Sequence, residues 1–300
     1  MDDRKNSVAI IGLGLLGGSL GMALRKSGCR RIGWDRRSEV RDRAIELEAV
    51  DQVFSEASEA AGAAELVVLA LPVSVACEYL AGDPGFWRPG TLVTDIGSVK
   101  QPVMAAAAGL AAAGVTFVGS HPMAGTEKSG LEAAFPELYF GADVFVTPAP
   151  DSPPDAVARI ETLWRSVGGI PGRIDPARHD DLVARTSHVL HVLASALASS
   201  ILEAPDEETR HERFRGCATG FRDSCRIASS NPAMWKEIIM QNQQAVLAAL
   251  RDFDRRYAEL KHLIEIGDFD GFENEFARGK QLRDRWLEYK SGQRNEQQRN

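Results

Sequence analysis

The chain has 300 residues, of which 44% are hydrophobic and 26% are charged, as in an ordinary soluble globular protein. Its net charge of −7 excludes the basic field that would hold nucleic acid or an anionic membrane. Four cysteines without a CxxC pair form no disulfide framework, and no signal peptide or membrane-spanning segment is expected. These features predict a cytoplasmic protein.

The first half of the chain alternates apolar strands with helical segments. The strand segments are SVAIIGLG, RRIGWD, AELVVLALP, GTLVTDIGS, VTFVGSHP and ADVFVTPAP. Near-continuous apolar strands separated by helices indicate a parallel sheet that is covered on both faces. We therefore predict an α/β protein whose N-terminal Rossmann-type domain, residues 1–174, contains a doubly wound, mostly parallel sheet. Ligands of such sheets bind at the carboxyl ends of the strands.

The second half of the chain has helical periodicity throughout. Asp175-Pro176 and Asn231-Pro232 are each a capping residue followed by a proline at the first helical position. The second of these signals opens a single helical run of about 35 residues, and a last helix is predicted over about 269–290. We predict an all-α domain, residues 175–300, that binds substrate and forms a homodimer.

A glycine-rich turn follows the first strand and opens the first helix. Gly12, Gly14 and Gly17 form a GxGxxG pattern. The first glycine permits a tight turn, the second allows the backbone to approach a pyrophosphate, and the third allows close packing of helix and strand. We predict a dinucleotide-binding loop here that also includes Leu13 and Leu15, although the bare pattern also occurs in turns without a ligand.

Asp35 ends the second predicted strand, 18 positions after Gly17. A carboxylate there accepts hydrogen bonds from the adenosine ribose and repels a 2′-phosphate, which favours NAD over NADP. Arg36 and Arg37 weaken this preference because an arginine can hold that phosphate.

Four further motifs carry a resemblance to a known family. They are DIGSVK (95–100), HPMAGTEKSG (121–130), SHVLH (187–191) and GFRDSCRIASSNPAMW (220–235). In this order they resemble the prephenate/arogenate dehydrogenases of tyrosine biosynthesis, over nearly the whole chain. The resemblance implies hydride transfer to NAD with loss of carbon dioxide from a cyclohexadienyl carboxylate. Prephenate and arogenate differ at one side-chain carbon, and the sequence leaves the choice open.

His121 and Ser98 are the catalytic residues that the resemblance implies. Neutral imidazole is a competent base near pH 7, so His121 would accept a hydrogen bond from the substrate hydroxyl. The alternative is a loop histidine that caps its own turn. Ser98 would bind the same hydroxyl or the nicotinamide amide, or it would instead cap the helix that follows.

The SHVLH segment places Ser187 and His191 on one helix face, with His188 three positions before His191. By resemblance His191 faces the substrate while Ser187 and His188 support the site. A histidine in an apolar helix is more commonly a hydrogen-bonded core residue. HDD at 179–181 together with HxxH could also suggest a metal-dependent phosphohydrolase, but a third ligand pattern is missing and no metal is predicted.

Arg226 is predicted to bind a substrate carboxylate, since a guanidinium group can form two parallel hydrogen bonds with a carboxylate. Arg222 is the alternative anchor, Asp223 would orient either arginine, and an ion pair on the helix surface remains the plain interpretation.

Two further residues are predicted to contact the substrate. Trp235 either forms one wall of the pocket for the substrate ring or packs between helices. Glu127 either approaches the substrate side chain or forms a surface pair with Lys128.

Three functional hypotheses follow. The first is a prephenate or arogenate dehydrogenase. The second is a relative acting on an amino-substituted prephenate in a specialised pathway. The third is a non-catalytic NAD-binding regulator, which would have no need for a proton acceptor such as His121.

Overall fold

The computed structural model describes residues 4–126 and 128–297, with side chains up to residue 292. The chain divides into two compact units between Val246 and Leu247. This division differs from the predicted domain boundary at residues 174 and 175, which stays a prediction.

The strands of the described chain are β1 (Ser7–Ile11), β2 (Arg30–Trp34), β3 (Gln52–Val53), β4 (Leu66–Leu69), β5 (Leu92–Asp95), β6 (Thr116–Phe117), β7 (Gly119–Pro122), β8 (Asp143–Thr147) and β9 (Ile170–Arg173). The helices are α1 (Leu15–Ala23), α2 (Ser38–Glu46), α3 (Ala57–Gly62), α4 (Val73–Ala81), α5 (Gln101–Ala107), α6 (Pro154–Ser166), α7 (Pro176–Val183), α8 (Val189–Leu202), α9 (Glu207–Gly216), α10 (Thr219–Cys225), α11 (Pro232–Gln241), α12 (Gln243–Ile266) and α13 (Phe269–Gln297). A π-helical turn, Ala184–His188, joins α7 to α8.

The main sheet has the strand order β3-β2-β1-β4-β5-β6, and all its strand pairs are parallel. Both faces are buried: Val8 and Ile10 belong to one apolar core, whereas Ala9 and Ile11 belong to the other. Alternate residues of a strand point to opposite faces, so a strand covered on both sides must be apolar throughout. The predicted Rossmann-type sheet is confirmed.

The segment VTFVGSHP, predicted as one strand, is divided between two sheets. β6 ends the main sheet, while β7 pairs with β8 antiparallel in a second sheet of order β7-β8-β9. Between β5 and β7, side chains take the place of backbone pairing. The Ser120 N–H donates to the Asp95 carboxylate over 3.2 Å, and Lys100 Nζ donates to the Ser120 carbonyl over 2.7 Å. β9, sequence IPGR, was not predicted because it has no apolar alternation.

The helical segments begin where the capping residues predicted. The Asp175 side chain accepts from two N–H groups of α7, and the Asn231 side chain does the same for α11. The predicted single run of about 35 residues is wrong, because it is interrupted at Asn242, whose backbone has φ −122° and ψ 28°. The last helix begins at residue 269 as predicted.

The second compact unit consists of residues 247–300 and contains most of α12 and all of α13. Several of its large apolar side chains are exposed, among them Tyr257, Phe269, Phe276 and Trp286. No helix in the described part of the chain has the length and apolar character needed to cross a bilayer.

Candidate active site

The glycine loop lies between β1 and α1. Gly12 has φ +103°, and a Cβ there would lie 2.3 Å from the Ala70 carbonyl oxygen. A Cβ at Gly17 would lie 1.9 Å from the Gly12 carbonyl oxygen. The fold itself therefore requires glycine at both positions. A Cβ at Gly14 would meet no atom within 4 Å, so this glycine leaves open space at the N-terminus of α1, where a pyrophosphate fits.

The side chains of Leu13 and Leu15 are buried in the fold, so only their backbones can face a cofactor. The Leu13 N–H donates to Asp35 Oδ2 over 3.1 Å. This bond fixes the Asp35 carboxylate beside the glycine loop, at the end of β2, where an adenosine ribose would lie. Asp35 Oδ1 also pairs with Arg37 Nε at 3.1 Å, and this hydrogen-bonded pair raises the pKa of Arg37.

β1, β4 and β5 are neighbours in the sheet, so the segments that follow them lie side by side. The glycine loop follows β1, and Ser98 follows β5 in a half-buried position. Helix α5 begins at Gln101, with Lys100 as its N-cap residue. The capping role considered for Ser98 is therefore wrong.

A carboxylate from a distant part of the chain caps α5 instead. Asp180 accepts from the Lys100 N–H at Oδ1 over 2.7 Å and from the Gln101 N–H at Oδ2 over 2.8 Å. Burial raises the pKa of Asp180, but the hydrogen bonds that it accepts from His179, Gln101 and Lys100 outweigh burial, and the net shift of this pKa is downward. Asp180 is thus held as a carboxylate, and it joins α7 to the start of α5.

His121 lies within β7 and is 9% exposed. Its Nδ1 atom lies 2.9 Å from His179 Nε2, and His179 Nδ1 lies 2.7 Å from Asp180 Oδ1. His121 is therefore not a loop histidine that caps its own turn. The sequence analysis considered His179 and Asp180 only as metal ligands. Their contact with His121 joins distant parts of the chain, so no local sequence pattern could have predicted it.

Burial governs the charge of this histidine cluster. It lowers the pKa of His121 well below its usual value, and the positive Lys100 adds to this effect. Burial also lowers the pKa of His179, against the opposing effect of Asp180, and it lowers the pKa of His188 to about 4. All three imidazoles are neutral at pH 7, which is the form that accepts a proton.

Lys100 and Asp95 form an ion pair beneath this cluster, and both side chains are fully buried. Burial lowers the pKa of Lys100, while Asp95 opposes that shift. The Lys100 ammonium also donates to the Ser120 carbonyl next to His121. This lysine is therefore part of the scaffold that holds β7 against β5.

His188 is buried at the end of the π-helical turn. The Asn242 amide nitrogen donates to the Asp180 carbonyl over 2.8 Å and lies 3.2 Å from His188 Nδ1. Asn242 is the residue at which the predicted long helix is interrupted, so the break places its side chain between α7 and the π-helical turn. π-helical turns are frequent at functional sites.

His191 and Trp235 form a stacked pair, with ring centroids 3.6 Å apart and an interplanar angle of 23°. His191 Nδ1 lies 3.1 Å from the Ser187 carbonyl, so Ser187 contributes its backbone rather than its hydroxyl to this contact. Both rings are half-buried. The Trp235 indole N–H is buried and makes no hydrogen bond to any residue within the described ranges.

Arg226 lies on a short 3-10 helix, Arg226–Ser229, and its positive charge contributes to the lowered pKa of His191 after burial. The Arg226 side chain is exposed beside this histidine. Arg222 pairs with Asp223 at 3.3 Å, and both side chains are more than 70% exposed. Of the two arginines considered, Arg226 is therefore the one placed beside His191 and Trp235. Glu127 lies outside the described residues.

The assembled site combines a neutral histidine base, a half-buried aromatic pair and a cation with a loop that fits a dinucleotide. Within residues 4–126 and 128–292, no three His, Cys, Asp or Glu side chains are grouped so as to hold a metal ion. The arrangement suits proton transfer on an anionic, ring-shaped substrate beside a nicotinamide cofactor.

Comparison with known proteins identifies the family. Residues 20–170 match the family model described as prephenate dehydrogenase, nucleotide-binding domain, and residues 175–278 match the one described as prephenate dehydrogenase, dimerization domain. The chain is 32% identical over 289 residues to the prephenate dehydrogenase of Bacillus subtilis, covering 95% of this chain and 77% of that protein. It is 33% identical over 279 residues to the cyclohexadienyl dehydrogenase of Zymomonas mobilis, covering 92% and 94%.

A solved structure gives the same relationship. The crystal structure of the prephenate dehydrogenase from Aquifex aeolicus, in complex with hydroxyphenyl propionate and NAD+, has a TM-score of 0.83 and 29% identity, covering 93% of this chain and 97% of that one. The first family match begins after the glycine loop, whose role therefore rests on its geometry. The chain belongs to the prephenate dehydrogenase family of NAD-dependent dehydrogenases.

Proposed function

We propose that this enzyme catalyses the oxidative decarboxylation of prephenate to 4-hydroxyphenylpyruvate, with arogenate as a second substrate that the same site would convert to tyrosine. The observation that carries the proposal is His121, a buried and neutral imidazole in contact with a second histidine and a carboxylate. An NAD-binding protein without catalytic activity has no need for such a base.

The reaction needs one proton acceptor and returns the proton that it takes. Bound NAD+ supplies the acceptor for the hydride that leaves the carbinol carbon. His121 would take the hydroxyl proton as the carbonyl forms at that carbon. The electron pair of the broken carbon–carboxylate bond then enters the ring, and carbon dioxide departs. His121 would return the proton to the same oxygen, which is now phenolic.

The remaining residues would bind and orient the substrate and the cofactor. Arg226 would hold one carboxylate, and the stacked pair of His191 and Trp235 would lie against the ring. The buried Trp235 N–H would donate to a substrate oxygen. Ser98 would orient the hydroxyl or the nicotinamide amide, while Ser187 and His188 support the pocket from behind.

The backbone from Gly12 to Leu15 and the first turn of α1 would hold the pyrophosphate, and Gly17 allows that helix to approach the sheet. Asp35 would accept hydrogen bonds from the adenosine ribose, which favours NAD over NADP. By the family resemblance, Glu127 would contact the substrate side chain, where a carboxylate would favour the ammonium group of arogenate.

We further propose that the enzyme is a cytoplasmic homodimer formed through its helical domain. The exposed apolar side chains of α12 and α13 and the match to a dimerization-domain model support this assembly. The four cysteines are free thiols, which suits a reducing compartment.

The proposed function is tested by following formation of the reduced nicotinamide with prephenate and with arogenate, each with NAD+ and with NADP+. We expect turnover with prephenate and NAD+, and the four rates rank both specificities. Folded protein that binds NAD+ and turns over neither substrate would contradict the proposal. An amino-substituted prephenate is then the next substrate to assay.

Arg226→Ala is expected to raise KM for prephenate by about 10- to 100-fold, the range for one hydrogen bond to a charged group, with a smaller change in kcat. Arg222→Ala is the matched control, because Arg222 pairs with Asp223 in solvent. Steady-state kinetics of both variants measure the difference. A larger KM change in the Arg222 variant would reverse the assignment of the two arginines.

A further inference from the structure

Three side chains form one buried hydrogen-bonded series, Asp180–His179–His121. Their exposed fractions are 1%, 0% and 9%, so water does not compete for these bonds. The series runs from α7 to β7 and brings His179 and Asp180 to His121, although the proposed reaction assigns no part to either residue. His179 is also enclosed by the Phe145 ring, whose centroid lies 5.5 Å away.

The hydrogen bonds dictate where each proton resides. The Asp180 carboxylate only accepts, so His179 must carry a proton on Nδ1, which lies 2.7 Å from Asp180 Oδ1. A neutral His179 then has a lone pair on Nε2. His121 must therefore donate from Nδ1 across the 2.9 Å contact, which leaves its own Nε2 unprotonated.

Four hydrogen bonds fix the orientation of Asp180. Its Oδ1 accepts from the Lys100 N–H as well as from His179, its Oδ2 accepts from the Gln101 N–H, and its carbonyl accepts from Asn242. These four bonds restrain three atoms of the residue, and Oδ1 accepts two of them. The orientation of His179 is thus set by groups on α5 and at the end of α11.

We propose that His179 and Asp180 are positioning residues that hold His121 in its Nδ1–H tautomer and so leave Nε2 as the proton acceptor. This inference rests on the proposed function, because it assigns the acceptor atom for the substrate hydroxyl. When Nε2 takes the hydroxyl proton, His121 becomes an imidazolium. Its bond to His179 is then charge-assisted, and Asp180 supplies the nearest negative charge along the series.

Other charged and titratable groups also face His121. Lys100, at the start of α5, disfavours the imidazolium, whereas its partner Asp95, at the end of β5, offsets that charge. His188, on the π-helical turn, is neutral. Asp180 is thus the anion aligned with the developing charge through hydrogen bonds, and the Asp95 charge is already paired.

The first test is the tautomer itself, read from ¹⁵N chemical shifts of histidine-labelled enzyme without substrate. The His121 signals are assigned by their loss in His121→Asn. We expect a protonated Nδ1 and an unprotonated Nε2 at pH 7. The exposed His211 and His262 serve as reference signals. A protonated Nε2 on His121 would overturn the proposal, whatever the enzyme turns over.

The second test compares two substitutions of His179. Phenylalanine has a similar shape but lacks the Nε2 acceptor for the His121 N–H. His121 can then adopt the other tautomer, and kcat is expected to fall by about 10²- to 10⁴-fold with KM for NAD+ unchanged. Glutamine keeps an acceptor for the His121 N–H, and we expect its kcat to exceed that of the phenylalanine variant by roughly tenfold or more.

His211→Gln is the matched control, since His211 is exposed on α9 and outside the site. Thermal unfolding and NAD+ binding establish that each variant is folded. Equal kcat for wild type and folded His179→Phe would refute the positioning role. Equal losses in the glutamine and phenylalanine variants would also refute it, because the acceptor would then be irrelevant. If wild type turns over no substrate while the ¹⁵N result holds, only the proposed function fails.

Discussion

His121→Asn is expected to lower kcat with prephenate by about 10²- to 10⁴-fold, the usual contribution of a positioned general base. Asparagine is the informative replacement because its amide nitrogen occupies nearly the position of imidazole Nδ1. It can still donate to His179 Nε2, which lies 2.9 Å from Nδ1 in the native site. The buried hydrogen bond is thus retained while the proton acceptor is lost. KM for prephenate and for NAD+ should change little.

Steady-state and single-turnover kinetics separate this effect from binding and product release. NAD+ binding by the variant, measured by quenching of tryptophan fluorescence, provides the control for a folded site. An unchanged kcat would exclude His121 as the base. A large rise in KM with unchanged kcat would instead make His121 a binding residue.

Lys100→Met is expected to destabilise the first compact unit by about 3–5 kcal/mol, the cost of leaving one member of a buried ion pair without its partner. Asp95 would remain fully buried opposite an apolar side chain. The Ser120 carbonyl would lose its donor as well. The consequence should be loss of the contact between β5 and β7, on which the position of His121 depends.

Chemical denaturation followed by tryptophan fluorescence measures this change, because the Trp164 indole donates to Ser120 Oγ over 3.0 Å and so reports on the affected region. Lys280→Met is the matched control. It removes an ion pair with Asp284 in which the lysine side chain is 74% exposed, and no measurable loss is expected. If both substitutions gave the same small change, the buried pair would not stabilise the fold.

Local patterns were sufficient for the elements that frame the site. The apolar segments around Val8 and Val68 predicted strands buried on both faces, and the two cores confirm this. Asp175 and Asn231 predicted helix starts, since a capping side chain bonds to N–H groups within three residues of itself. In each case the interacting groups are close in sequence, which is why a short window contains the signal.

Contacts between distant residues were not predictable in this way. The sequence contains His179-Asp180 as an ordinary pair of polar residues near the start of a helix. These residues lie 58 and 59 positions after His121 in the chain. Only folding brings them into one hydrogen-bonded series with it. The interruption at Asn242 has the same cause, because its amide bonds to groups 54 and 62 positions earlier in the chain.

The amino-acid sequence by itself determined the Rossmann-type sheet, the glycine loop and the family to which the chain belongs. These depend on periodicity, on turn conformation and on motifs read along the chain. The tertiary structure alone decided that Asp180 rather than Ser98 caps α5, that Lys100 is buried against Asp95, and that the His121 imidazole is neutral. The physical reason is that the burial and the hydrogen-bond partners of a side chain depend on which distant groups fold around it. Burial and hydrogen bonding in turn determine whether that side chain is protonated.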